Sequence, residues 1–300
     1  PSSSYVASKR DALPEGRASR SLRRCPDASP FDERNGNPLS WALVTGACSG
    51  IGLEIARELG RRGYSLILTS DRAAELELSA DSMTDAYGVA TRTIAMDLAQ
   101  PEAARLLHEE VGQLGLEVEI LVSNAGMLLF GEVADADPTR AASLLHLHVT
   151  TPSLLALYFG RDMRTRRNGY LLVVSSASAW CDFPGVTLYG STKRYLRSFA
   201  AALREELRPW GVKVTCLAPG AVATGLYGRA SGAAAKATKM KLLKDPASVA
   251  KAGVRGMLRG KALVLPGLGA KTMALAAALT PRWLVRLVRM HTDYLPRPTD

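Results

Sequence analysis

The chain offers few of the usual shortcuts to a function. Its 300 residues hold only 4 cysteines. Cys25, Cys48, Cys181 and Cys216 are scattered, without a Cys-x-x-Cys pair or a histidine partner at metal-ligand spacing. That spacing argues against a disulfide scaffold and against a metal site, and for reduced intracellular thiols. No uninterrupted apolar run reaches the roughly 18–20 residues that a membrane-spanning helix needs. The opening residues do not read as a secretory leader, and none is expected. An Arg- and Ser-rich N-terminal stretch is interrupted by Asp11, Glu15, Asp27, Asp32 and Glu33, which argues against a mitochondrial transit peptide. The expected location is the cytoplasm. No nucleic-acid motif accompanies the basic charge, so no nucleic-acid partner is expected.

What is present is a hydrophobic content of 47% over 300 residues, enough for one large domain with appendages and a core that needs no disulfides. The net charge of +10 is unevenly placed. Residues 1–40 carry 7 basic and 5 acidic side chains, residues 41–228 carry 17 and 20, and residues 229–300 carry 14 and 3. A basic end of this kind suits either anionic ligands and surfaces or a solvated rim around a lid.

Three segments follow. Residues 1–40 are rich in Ser, Pro, Arg and Asp, lack hydrophobic period, and read as a disordered polar tail. From 41 to 266, short apolar runs alternate with helical patterns. Strands are expected at 41–45, 64–69, 89–96, 118–123, 170–175, 212–217 and 262–266. Helices are expected at 50–62, 73–86, 101–114, 138–165 and 246–258, with Asp245-Pro246 starting the last. Alternation of this kind implies an α/β fold, a doubly wound parallel sheet whose ligands bind beyond the carboxyl ends of the strands. Glycines and lysines at about 221–245 suggest a lid. Residues 267–300 are expected to form a basic extension of one or two helices.

Two motifs sit at those carboxyl ends. The run Thr45-Gly46-Ala47-Cys48-Ser49-Gly50-Ile51-Gly52 joins a strand to a helix. Glycines let backbone approach a pyrophosphate, and the helix N-terminus stabilises its charge. Tyr189 and Lys193 are four apart, with Ser176 thirteen positions upstream. Side chains four apart share a helix face, and a lysine ammonium beside a phenol favours the phenolate. A general acid works best with its pKa near the operating pH. The spacing alone proves little, since Tyr5 and Lys9 repeat it in the polar tail. Only Tyr189 lies where a doubly wound sheet offers a cleft.

The glycine run, then Ser123-Asn124-Ala125-Gly126, then Ser176 with Tyr189 and Lys193, then Pro219-Gly220-Ala221-Val222-Ala223-Thr224, resembles the short-chain dehydrogenase/reductase family in order and spacing. The resemblance covers about residues 41–266 and extends to its ketoacyl- and hydroxysteroid-type reductase branch. It implies a Rossmann fold and hydride transfer between a nicotinamide cofactor and a carbonyl or alcohol carbon. Tyr189 would exchange a proton with the substrate oxygen, Ser176 would hydrogen-bond that oxygen, and Lys193 would hold the ribose hydroxyls. Gly46, Cys48, Ser49, Gly50, Ile51 and Gly52 would cradle the cofactor phosphates. Asn124, Ala125 and Gly126 would line its path, with Asp97 and Leu98 at the adenine and Pro219, Gly220, Val222 and Thr224 at the nicotinamide. A homodimer or homotetramer is the assembly the family implies.

Two positions depart from the family pattern. Ser123 stands where Asn is usual. His148 stands where the family commonly has an Asn that relays protons. An imidazole both donates and accepts and titrates near neutrality. His148 therefore reads as a relay that makes the rate depend on pH between about 5 and 8, as a mark of altered chemistry, or as a packed helix residue. Cofactor choice turns on Ser70, Asp71 and Arg72. Ser70 leaves room for a 2′-phosphate and Arg72 can pair with it, while Asp71 repels it; the balance favours NADP, with NAD as the alternative. Trp180, Phe183, Val186, Leu226, Tyr227 and Met240 suggest a hydrophobic substrate. At the C-terminal end, Trp283, Leu284, Leu287 and Val288 share a helix face flanked by Arg282, Arg286 and Arg289. That face suits either peripheral membrane contact or packing over the cleft. Against the redox reading stands a non-redox use of the scaffold, as an isomerase, a cyclase or a cofactor sensor.

Overall fold

A computed structural model describes residues 40–180, 182–223 and 244–291. The polar tail, Thr224, most of the expected lid and its Leu226, Tyr227 and Met240 lie outside the described residues. Seven parallel strands form one sheet in the order β3-β2-β1-β4-β5-β6-β7. They are β1 (Trp41–Thr45), β2 (Ser65–Ser70), β3 (Thr91–Ala95), β4 (Val118–Ser123), β5 (Gly169–Val174), β6 (Val212–Leu217) and β7 (Leu263–Val264). The helices are α1 (Gly50–Gly60), α2 (Ala73–Tyr87), α3 (Ala103–Gln113), α4 (Pro138–Leu145), α5 (Thr151–Arg166), α6 (Thr187–Leu207), α7 (Pro246–Leu258), α8 (Gly267–Leu279) and α9 (Arg282–His291).

The central strands read as near-continuous Val, Ile and Leu runs because helices cover both faces. Successive side chains of a strand point to opposite faces, and the core divides accordingly. Trp41, Leu43 and Leu121 join one apolar cluster with residues of α3, α5 and α6. Ala42, Val44, Ile120 and Val122 join the other with residues of α1, α2 and α7. The chain runs outward from β1 through β2 to β3, and the rest of the sheet builds from β4 in the opposite direction. The register sets Thr45 beside Thr69 and Val44 beside Val122. The β1 and β4 carboxyl ends therefore open together, at the point where strand order reverses and a crevice forms.

One expected element is divided. The apolar pattern at 138–165 predicts a single helix, but α4 and α5 are separated by a π-helical turn, His146–Thr150. The Thr151 amide bonds to the carbonyl of His146, five residues back. Pro152 explains the break: it has no N–H, and its ring clashes with the carbonyl four residues earlier, which is that of His148. Turns of this type recur at functional sites. At the other end of the chain, Asp245 caps α7 as its sequence suggests, accepting from the amides of Ala247 and Ser248.

Candidate active site

The glycine run is held from beneath by one hydroxyl. Thr45 Oγ1 donates to the Val122 carbonyl at 3.1 Å and accepts from the amides of Asn124 (2.9 Å) and Ala125 (3.0 Å). The Asn124 side-chain amide donates back to the Thr45 carbonyl at 3.0 Å. These bonds tie the ends of β1 and β4 together. Gly46 and Gly50 take the left-handed conformation, with φ of 66° and 57°, which side chains resist. A Cβ at Gly52 would overlap the Gly46 carbonyl oxygen and the Asn124 amide. Ser49 begins α1 without a side-chain cap, and the first turn carries no acid. The helix start is therefore unblocked and favours negative charge.

Beyond the loop, the Arg72 guanidinium folds onto it. Its Nη2 donates to Ser49 Oγ and to Cys48 Sγ, both at 2.8 Å. Cys48 Sγ lies 2.9 Å from Ser70 Oγ, and the Ser70 hydroxyl donates to Asp71 Oδ1 at 3.1 Å. Arg72, Cys48, Ser70 and Asp71 form a continuous polar chain along the rim. Asp97 uses both carboxylate oxygens in its own turn, accepting from the Ala99 amide and the Gln100 side chain.

The third group surrounds the start of α6. Lys193 is buried, its ammonium donating to the Val174 carbonyl at 3.2 Å. Nζ lies 5.6 Å from the centre of the Tyr189 ring. Burial holds the Lys193 ammonium down to about 8, against an ordinary 10.5. His148, 1% exposed, packs edge-on against Tyr189 with ring centres 5.7 Å apart. Its Nε2 accepts from the Met127 amide at 3.0 Å. The Thr192 hydroxyl donates to the Tyr189 carbonyl, so at 3.0 Å it accepts from His148 Nδ1. Both ring nitrogens are occupied in the neutral form. Burial first, and the Lys193 charge second, hold the His148 pKa well below its ordinary 6.5. This corrects the expectation that it titrates near neutrality. A Cβ on Gly126 would come 2.9 Å from His148 Nε2 and 3.6 Å from Lys193 Nζ, so glycine keeps the floor between them open.

These groups line one cleft of about 650 Å³. Of the residues singled out in the sequence, Gly46, Cys48, Ser49, Gly50, Ile51, Ser70, Asp71, Arg72, Asp97, Leu98, Asn124, Ala125, Gly126, His148, Ser176, Tyr189, Lys193, Pro219, Gly220 and Val222 border it. Gly52 does not; it lies behind the loop, against Gly46 and Asn124. The model of the short chain dehydrogenase family matches residues 40–234, more than half of the chain. The chain belongs to the short-chain dehydrogenase family. Over 200 residues it is 34% identical to the very-long-chain 3-oxoacyl-CoA reductase-A of Danio rerio, across 63% of this chain and 62% of that one. It is 31% identical over 189 residues to the 17-beta-hydroxysteroid dehydrogenase type 3 of Homo sapiens, across 62% of this chain and 60% of that one. The chain thus spans about six tenths of the length of these relatives. A short-chain dehydrogenase of Sphingobium yanoikuyae, solved with NADPH, superposes with a TM-score of 0.71 at 25% identity, covering 85% of this chain and 98% of that one.

In this short-chain dehydrogenase, several cleft residues escape motif reading. Met127 and Leu128 simply follow the Asn-Ala-Gly run, while Met96, Leu147 and Arg140 reach the cleft from just past β3, from the π turn and from α4. Thr192 stands inside the Tyr-Gly-Ser-Thr-Lys run, but its bond to His148 has no local signal. Two further cavities flank the 182–184 loop. One, of about 490 Å³, includes Val133, Phe183, Val186 and Gly190 in its wall. The other, of about 690 Å³, lies between that loop, Trp180 and α9.

Proposed function

We propose that this protein is an NADP(H)-dependent oxidoreductase that interconverts a carbonyl and a secondary alcohol on a hydrophobic small molecule, with Tyr189 as general acid and base. The observation that carries this reading is that Ser176, Tyr189 and Lys193 line the same cleft as the glycine loop and the β1/β4 crevice. The cofactor fits the residues present. The uncapped, acid-free start of α1 suits a pyrophosphate. The Arg72 guanidinium on Ser49 suits a 2′-phosphate. NADPH bound to the Sphingobium yanoikuyae protein supports the same choice.

When bound, the nicotinamide supplies or receives the hydride. The chain's own residues do the rest. Ser176 donates a hydrogen bond to the substrate oxygen and stabilises its developing charge. Tyr189 gives that oxygen a proton in reduction and takes one in oxidation. The buried Lys193 charge beside its ring favours the phenolate. We read His148 as a positioning residue rather than a relay. Its two bonds join the loop after Gly126 to the first turn of α6, and proton traffic through the imidazole would break the Met127 bond. Phe183 and Val186 line apolar wall for the substrate, consistent with a hydrophobic ketone. A homodimer or homotetramer is the assembly proposed with it.

The test follows NADPH absorbance against a panel of bulky hydrophobic ketones, with NADP and the corresponding alcohols in reverse. Consumption of cofactor in either direction supports the reading. Binding of NADPH without turnover on any member, together with reductase activity gained by His148→Asn, would instead favour the non-redox use of the scaffold.

A further inference from the structure

The last two described helices leave much apolar surface in solvent. Leu275 and Leu279 of α8 are 62% and 72% exposed, and Trp283 of α9 is 67% exposed. Lys271, Leu275 and Leu279 are spaced four apart and so share one face of α8; Lys271 is exposed as well. On α9, Arg286 lies three residues after Trp283 and is also exposed. The opposite sides are committed. Ala270 and Ala274 of α8 are buried, and Leu284 and Val285 of α9 are half-buried. The two helices therefore have an inner side fixed to the body and an outer side that mixes large apolar groups with cations.

Charge decides what covers that side. Residues 267–291, which carry the two helices, contain four Lys and Arg side chains and no acid. A second copy meeting the same face across a two-fold axis would set like charge against like. An anionic bilayer is complementary to it, and aliphatic side chains, tryptophan and flanking cations on one helix surface are the pattern of interfacial helices. We propose that α8 and α9 form the face by which this protein lies on an anionic lipid membrane. Leu275, Leu279 and Trp283 enter the headgroup–acyl boundary, and Lys271 and Arg286 pair with lipid phosphates.

The placement has a consequence, which rests on the proposed oxidoreductase reading. α8 packs against the 177–180 turn that follows Ser176. The cavity of about 690 Å³ between α9 and the 182–184 loop has Trp180, Phe183, Val285 and Arg286 in its wall. Docking brings that cavity to the surface of the phase in which a water-insoluble ketone dissolves.

The full chain is sedimented with vesicles of phosphatidylcholine alone and of phosphatidylcholine with phosphatidylserine. Binding to the anionic vesicles should be at least about tenfold stronger and should fall with added salt. The double substitution Leu279→Asp and Trp283→Asp should weaken it by at least about tenfold. Leu78→Asp, at a position 70% exposed on α2, should leave it unchanged. Circular dichroism melting checks that each variant is folded. Absence of wild-type binding, or binding that survives the double substitution, would overturn the proposal. So would light scattering showing that the double substitution dissolves a dimer, which would assign the face to a second copy. Vesicle binding is read without turnover, so its failure and a failure of the oxidoreductase reading are separate results.

Discussion

Lys193→Met separates what the buried lysine does for catalysis from what it does to stability. Burial holds the ammonium down to about 8 in the folded protein, against 10.5 ordinarily. At ~1.4 kcal/mol per tenfold change in a proton equilibrium, the folded state disfavours that charge by about 3 kcal/mol. The folded pKa of a base lies below its unfolded value here, so the unfolded chain holds the proton longer. The penalty is therefore complete below pH 8 and fades as pH rises from about 8 towards 10.5. Methionine retains most of the stem and drops the charge. It also loses the bond to the Val174 carbonyl, which contributes about 1 kcal/mol. Without cofactor, the variant should be more stable than the wild type by about 2 kcal/mol at pH 7. That advantage should vanish near pH 10. Denaturant titration of both proteins at the two pH values measures it. Taking the difference between proteins matters. Tyr64, pushed up to about 12 mainly by burial, lowers stability as pH rises and acts equally in both samples. Turnover should be lost in the variant. A variant less stable at pH 7, or a stability difference that does not change with pH, would refute the reasoning.

Other predictions address the cofactor end and the histidine. Arg72→Ala removes the guanidinium folded on Ser49; KM for NADPH should rise about tenfold while KM for NADH moves little, and equal changes would argue against a 2′-phosphate contact. Gly52→Ala drives a methyl into the Gly46 carbonyl and the Asn124 amide; thermal melting should show a loss of about 1–3 kcal/mol and no stabilisation by added NADPH. Because His148 is held neutral well below 6.5, the unfolded chain binds its proton first as pH falls. The wild type should therefore lose stability between pH 6.5 and 5 faster than His148→Asn. Its pH–rate profile should also show no histidine inflection in that range.

The strands were legible because a sheet covered on both faces leaves nearly unbroken runs such as Val118-Glu-Ile-Leu-Val-Ser123, and glycine and proline punctuate them. The cleft was legible because the glycine run, the Asn-Ala-Gly run, Ser176 and Pro219 each follow a strand end, and Tyr189 with Lys193 opens the helix after β5. What escaped depends on contacts across the chain. Nothing local says that Thr192 meets His148, 44 positions away, and that contact decides the tautomer, while burial and the Lys193 charge keep the imidazole from titrating near neutrality. The π turn did leave a local mark in Pro152, inside an otherwise helical pattern. Arg72 showed its charge in the sequence, but its fold back onto Ser49 and Cys48 belongs to the tertiary structure. The C-terminal apolar face was visible as a period. Its division into an inner Leu284 and Val285 and an outer Trp283 required the body it packs against.

The central claim is that Tyr189 moves the proton that accompanies hydride transfer. Tyr189→Phe keeps the ring that packs against His148 and removes only the hydroxyl. With NADPH and a ketone that the wild type reduces, the variant should bind the cofactor as tightly as the wild type. Its turnover should fall by at least about a hundredfold. Turnover retained at the wild-type rate, with cofactor binding intact, would contradict the account.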